Sequence, residues 1–196
     1  MYGVYYNDLF DSLIISKKTI DDYLVDFKDG VTILRDEKTK EITGVNVFNV
    51  SKDITLHKAF NSFNPDALDY LKNRLKNYFV FEQQTQFVVA KVLECVDIEG
   101  THLHKCEVDL GNATTQIVCG AKNIANDQLV VVALPYAWMP NGMQIVPSKL
   151  RGFDSNGMIC SQKELDIDDK RFSKEGIIVL PESFADKIGN DFFTEL

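Results

Sequence analysis

The sequence predicts an α+β N-terminal domain followed by an all-β, five-stranded barrel with a short C-terminal strand and helix extension. Three observations carry this expectation. The first part of the chain alternates polar and apolar residues in short runs and then shows a single well-punctuated helix. After Glu82 the polar stretch QQT marks a change of character, and five strand candidates follow in close order with little helix between them. The 196 residues, 45% of them hydrophobic, are enough for a packed core and for one or two domains. The expected division is residues 1–82 and 86–196.

In the first part, Leu24, Asp26 and Lys28 alternate with Val25 and Phe27, and Asp29-Gly30 marks a tight turn into VTILR. Two or three antiparallel strands follow from this pattern. The charged run RDEKTKE reads as another hairpin connection before ITGVNVFNV. The helix comes next. Asn64 is placed to cap it, Pro65 suits its first turn, and Asp66 and Asp69 complement its positive end. Leu68, Leu71, Leu75 and Phe79 recur at helical spacing and predict a stripe that lies on the preceding sheet. Lys72, Arg74 and Lys76 read first as charges offsetting the helix dipole.

The five strand candidates are QFVVAKVLECVDI, LHKCEVDLG, TTQIVCGA, QLVVVALPYA and GMQIVPSKLRG. Gly111-Asn112 and Asn141-Gly142 are hairpin chemistry, since both residue types tolerate positive φ. Five short strands at this spacing point to a small barrel, for which an OB-fold is the natural candidate. The tail adds the strand-like GIIVLP and a helix over ESFADKIGNDFF, where Phe184, Ile188 and Phe192 fall at helical spacing.

Several function classes lose support. No apolar run approaches the roughly 18–20 residues that span a bilayer, and MYGVYYNDLFDS lacks the basic and apolar regions of a signal peptide, so a cytoplasmic protein is expected. Cys95, Cys106, Cys119 and Cys160 include no CxxC pair and read as reduced, mostly buried thiols. His102, His104 and Cys106 alternate along one strand, but three such ligands span about 13 Å, too far for one tetrahedral ion. Neither a metal nor a cofactor is expected. The sequence has no GxSxG, P-loop, dinucleotide fingerprint or HExxH, and the acidic Asp166, Asp168 and Asp169 read as a solvated loop, so no catalytic residues are assigned.

QIVCGAKN (residues 116–123), VVVALPYAWMPNG (130–142) and LRGFDSNGMICS (150–161) together resemble the tRNA-binding domain shared by bacterial phenylalanyl-tRNA synthetase beta subunits, the methionyl-tRNA synthetase C-terminal extension and EMAP-II-type cytokine precursors. The tail DIDDKRFSKEGIIVLPE is similar to the beta-subunit version. Because the chain stops at Leu196, a free-standing protein is implied, and its arrangement looks like the YtpR-type tRNA-binding proteins of Gram-positive bacteria. One departure stands out. Where many members carry HPxADKL, this chain has Asp97-Ile98-Glu99-Gly100-Thr101-His102-Leu103, replacing one RNA-facing cation with a histidine.

With tRNA as the implied partner, six residues become candidate contacts. Lys149 and Arg151, two apart on an expected strand, would leave one face and bracket a phosphate backbone. Ser155 would cap a short turn with outward N–H groups, and Gly157 would let the backbone approach a ligand. Met158 would lie on an exposed base or fill the core. Asn123 would read an unpaired base or satisfy its own backbone, Gly120 would relieve crowding at a bulge, and Ser161 would add a hydroxyl contact. From Thr85 onward ten Lys and Arg face sixteen Asp and Glu, a net charge of −6, so affinity must rest on a local patch. The acidity keeps open an alternative, a protein-interaction module that retains the fold and associates with a synthetase, a ribosomal factor or itself. A homodimer with its seam near VVVALPYAWMP and Trp138 is also expected.

Overall fold

The computed structural model describes residues 1–196 and is mostly β. It divides into two units, Met1–Gln84 and Thr85–Leu196.

In the first unit five antiparallel strands, β1 (Gly3–Asn7), β2 (Ser12–Ser16), β3 (Tyr23–Lys28), β4 (Val31–Asp36) and β5 (Ile42–Phe48), form a sheet in the order β1-β2-β5-β4-β3. Asp29 and Gly30, at φ 51° and 74°, make the two-residue turn that pairs Lys28 with Val31. At the tip of RDEKTKE the Asp36 carboxylate accepts from the amides of Lys38 and Thr39, 2.9 and 2.8 Å away. Helix α1 (Pro65–Leu75) starts where Asn64 Oδ1 accepts from the Asp66 amide at 3.1 Å. Its Leu71 and Leu75 pack with Val4, Leu13, Ile15, Val45 and Val47 of the sheet. Phe79 lies past the helix end. The alternation in YLVDFK does not mark a buried face: β3 is an edge strand, and all six of its residues are exposed.

The second unit is a nearly closed barrel. β6 (Phe87–Asp97), β7 (His104–Asp109), β8 (Thr114–Cys119), β9 (Leu129–Ala133), β12 (Met158–Ile159) and β13 (Val179–Leu180) form one antiparallel sheet in the order β12-β9-β6-β7-β8, with β13 also on β9. β6 is the long element. Its residues 87–91 pair with β9 and its residues 91–97 with β7, and the register shifts between Val92 and Glu94. A bulge there lets one strand serve both halves, because an extra residue bends the strand and increases its twist. Inward-facing Val88, Ala90, Val92, Cys106, Val108, Ile117, Val130 and Val132 make the core.

Closure comes from the other edge. β10 (Ser148–Leu150) and β11 (Phe153–Ser155) form a separate two-stranded hairpin whose base joins β8. The Asn156 amide donates to the Gln116 carbonyl at 2.9 Å, Gln116 Nε2 donates to the Asp154 carbonyl at 2.7 Å, and the Val118 amide donates to Ser155 Oγ at 3.1 Å. The chain then passes into β12. In the tail a 3₁₀ turn (Glu182–Lys187) and helix α2 (Phe192–Glu195) follow β13, and the Val89 amide donates to Asn190 on the way.

Two expectations need correction. GMQIVPSKLRG is not the fifth barrel strand: residues 142–147 pair only locally with residues 136–139 around the Trp138–Gln144 bridge, and Ser148–Leu150 belongs to the side hairpin. Pro147 has no N–H to give a ladder, and Asn141-Gly142 turns the chain within a loop instead of linking two long strands. β12 and β13 take the remaining places on the sheet. Within the expected apolar seam Val130–Ala133 are buried and Trp138 is only 4% exposed, its amide donating to Gln86 Oε1 at 2.7 Å, while Tyr136 is 57% exposed.

Gly157 permits the entry into β12. Its φ is 132°, and a Cβ there would sit 2.8 Å from the Ala133 carbonyl oxygen. Gly157→Ala is expected to destabilise the barrel by about 1–3 kcal/mol, read as a lower urea midpoint of the full chain. An unchanged midpoint would show that the β9–β12 approach is not constrained.

Candidate nucleic-acid interface

The six candidate residues separate into two sets, one facing outward and one spent on the fold. Lys149 and Arg151 are exposed, but they do not share a strand face. Arg151 and Gly152, at φ 53° and 88°, form the two-residue turn between Leu150 and Phe153, so Arg151 stands at the hairpin tip while Lys149 stays on β10. Lys149 Nζ lies 3.1 Å from Asp154 on the opposite strand. Both groups are well exposed, so this pair contributes little stability and leaves the ammonium available. Beside it, Lys105 of β7 lies over the Phe153 ring, 6.0 Å from its centre.

Ser155 is not a cap with outward amides. It is 5% exposed, and its hydroxyl is the acceptor for the Val118 amide that helps close the barrel. Asn123 is engaged in the same manner. Its Nδ2 donates to the Ile177 carbonyl at 2.9 Å and its Oδ1 accepts from the Ile177 amide at 3.0 Å, a two-point tie from a short-range loop to the segment entering β13. Gly176 makes that tie possible, because a Cβ on it would stand 2.1 Å from Asn123 Oδ1. Gly157 approaches its own strand β9 and not an external ligand.

Met158 and Ser161 line a cavity of about 460 Å³. Its walls are the end of β8 and the turn after it (Val118 to Ala121), β12, and the segment from Ser161 to Ile177, with Lys163, Glu164, Lys174 and Gly176 at its polar side. Ser161 and Glu164 form a reciprocal capping pair: Glu164 Oε2 accepts from the Ser161 amide at 2.7 Å and from its hydroxyl at 2.6 Å, and the Glu164 amide returns to Ser161 Oγ at 3.3 Å. Lys163 and Lys174 are exposed, the latter 3.4 Å from the equally exposed Asp168. The cavity meets the hairpin at Val118, which lines the one and donates its amide to Ser155 at the base of the other.

Sequence reasoning missed Lys105, Phe153, Lys163 and Lys174. The last two look like members of a charged tail, and only the return of that tail across β9 brings them to the cavity. Asp97 of the altered DIEGTHL segment is the partner of His104 at the start of β7, whose Nε2 lies 3.2 Å from Asp97 and Nδ1 3.3 Å from the Cys119 carbonyl. The His104 ring thus holds the loop to β8, and His102 lies beside Gly120. No three His, Cys, Asp or Glu side chains are grouped to hold a metal ion, and no helix is long and apolar enough to cross a membrane.

A family model described as "Putative tRNA binding domain" matches residues 87–186, which include both the hairpin and the cavity. The chain belongs to the tRNA-binding domain family. Members of this family that resemble it include the "Putative tRNA-binding protein YtpR" of Bacillus subtilis, 38% identical over 184 residues, 87% of this chain and 89% of that one. Two phenylalanine–tRNA ligase beta subunits are similar over a little more than half of the chain. That of Lactobacillus johnsonii is 44% identical over 115 residues and that of Streptococcus mutans 47% over 105 residues. The aligned region spans 14% and 13% of those ligase subunits against 57% and 52% of this chain. The solved MetRS related protein of Pyrococcus horikoshii aligns over 54% of this chain and 86% of its own, with 22% identity and a TM-score of 0.38, too distant to bear on the fold.

Removing the Ser155 hydroxyl leaves the buried Val118 amide without its acceptor. Ser155→Ala is expected to cost about 1–3 kcal/mol, seen as a lower thermal midpoint. Full stability in that variant would return Ser155 to the list of ligand contacts.

Proposed function

We propose that this chain is a non-catalytic tRNA-binding protein whose second unit, an OB-fold-type barrel, meets the RNA at the β10–β11 hairpin and the adjoining cavity. The observation that carries this reading is the family match over residues 87–186, within which the outward-facing cations fall. Lys149 and Arg151, joined by Lys105, Lys163 and Lys174, supply charge for the phosphate backbone. Phe153 and Met158 supply surfaces on which unpaired bases stack, a contact worth roughly 1–3 kcal/mol per base on an aromatic ring. Ser161 contributes a hydroxyl at the cavity wall, while Asn123 and Ser155 act by holding the backbone that presents these groups. Recognition is by tRNA shape and unpaired bases, with no cofactor. The same reading places the protein in the cytoplasm. The first unit, read as an α+β domain, is the natural surface for a synthetase or a second copy of the chain.

The acid excess of the second unit defines how this binding behaves. A small set of cations on a unit of net charge −6 gives modest affinity with a definite salt dependence and little attraction for polyanions in general. The protein-interaction alternative rests on that acidity together with the altered DIEGTHL segment.

Fluorescence anisotropy with total tRNA at several salt concentrations tests the proposal. Binding is expected near 50 mM salt, and Arg151→Ala and Lys163→Ala are each expected to lower the logarithmic salt slope by about 1. Absence of binding at that salt, together with a protein partner captured after ribonuclease treatment, would select the interaction module instead.

A further inference from the structure

Cys95 on β6 and Cys106 on β7 lie directly opposite each other in the antiparallel ladder, and their sulfurs are 3.3 Å apart. Opposed residues in such a ladder alternate between hydrogen-bonded and non-hydrogen-bonded pairs. The Ile98 amide donates to the Leu103 carbonyl, so the Asp97–His104 pair is non-hydrogen-bonded, Val96–Lys105 is bonded, and Cys95–Cys106 is again non-hydrogen-bonded. An independent contact agrees with this. The Cys95 amide donates to Asn126 Oδ1 at 2.7 Å instead of crossing to β7. Residues in non-hydrogen-bonded pairs have Cα atoms about 4.5 Å apart, within the roughly 4.4–6.8 Å that a disulfide bridges.

The two thiols differ in access, which gives them different roles. Cys95 is partly exposed, beside the bulge of β6, whereas Cys106 is fully buried in the barrel core. All four cysteines are free, and Cys119 and Cys160 are also buried. Only Cys95 combines access with a sulfur neighbour in contact.

We infer that Cys95 and Cys106 form an oxidisable pair that closes to an intramolecular cross-strand disulfide on reaction with a low-molecular-weight disulfide such as glutathione disulfide. The Cys95 thiolate attacks one sulfur of the reagent, whose S–S bond breaks and releases one thiol after protonation. Cys106 then gives its proton to solvent and attacks Cys95 Sγ, expelling the second thiol. Two cysteine thiols are oxidised, and one reagent disulfide is reduced to two thiols. Burial raises the pKa of Cys106, so the second step is the slow one and quickens as pH rises. The bond would pin β6 to β7 next to Lys105 without requiring RNA.

Incubation of the full chain in glutathione buffers of graded redox ratio, followed by acid quenching, alkylation and peptide mass mapping, tests this. The expected product has lost two hydrogens, links the Cys95 and Cys106 peptides and is reversed by a reductant. Cys119→Ala should still form it, and Cys95→Ser should keep its remaining thiols free under the same conditions. The inference is overturned by four free thiols at every ratio, by glutathione retained on Cys95 with Cys106 free, or by a link to any other cysteine.

Discussion

The contact between the free edge of β8 and the segment 154–156 is the constraint on which the rest of the second unit depends. Without the bonds from Val118 to Ser155, from Asn156 to Gln116 and from Gln116 to Asp154, the sheet would end at β8 with an unpaired ladder. Those bonds turn the chain into β12, and β12 brings Met158 to the cavity wall. They also fix the base of the hairpin, so that Lys149, Arg151 and Phe153 project beside the cavity instead of moving on a free loop. Stability and the placement of the hairpin beside the cavity therefore come from the same few groups. This is why Ser155, a polar residue that looks suited to RNA, is occupied by the protein's own backbone, as Asn123 is by its separate tie to Ile177.

Charge is organised by the same closure. Along the sequence the cations of the second unit are scattered among more numerous acids, and the sum gives no hint of a polyanion site. In space Lys105, Lys149 and Arg151 gather on the hairpin side and Lys163 and Lys174 on the cavity side. Two have an acidic neighbour, Lys149 with Asp154 and Lys174 with Asp168, at well-exposed positions. Exposed pairs of this kind are weak in water. On the proposed reading, a local cluster on an acidic body favours an RNA that fits the cluster over nucleic acid in general.

Legibility followed the range of the interaction. Helix α1 could be read from its cap Asn64, its Pro65 and its leucine spacing because all of these act within a few residues, and so could the Asp29-Gly30 turn. The Arg151-Gly152 turn has the same local geometry but a residue that rarely adopts positive φ, so LRGF passed for continuous strand. β12 has only two residues, too few to show any alternation, and its partner β9 lies at a distance in sequence, whereas β13 falls within the strand-like GIIVLP. The exposure of β3 was equally invisible, since its pattern is that of a half-buried strand and only its place at the sheet edge strips it of a covered face.

The sequence by itself determined that the second unit would be a small strand-rich barrel of the tRNA-binding family with an excess of acids, and where helix α1 and the Asp29-Gly30 hairpin of the first unit would fall. These are properties of composition, short-range pattern and ordered motifs. The single helix expected over ESFADKIGNDFF is instead a 3₁₀ turn and a separate short helix. The tertiary structure decided which candidate side chains face outward, which tie the backbone, and which thiols meet across a ladder. Hydrogen-bond partners such as Asn123 with Ile177, and opposed pairs such as Cys95 with Cys106, are set by register and closure between distant strands, and residue type alone cannot specify either.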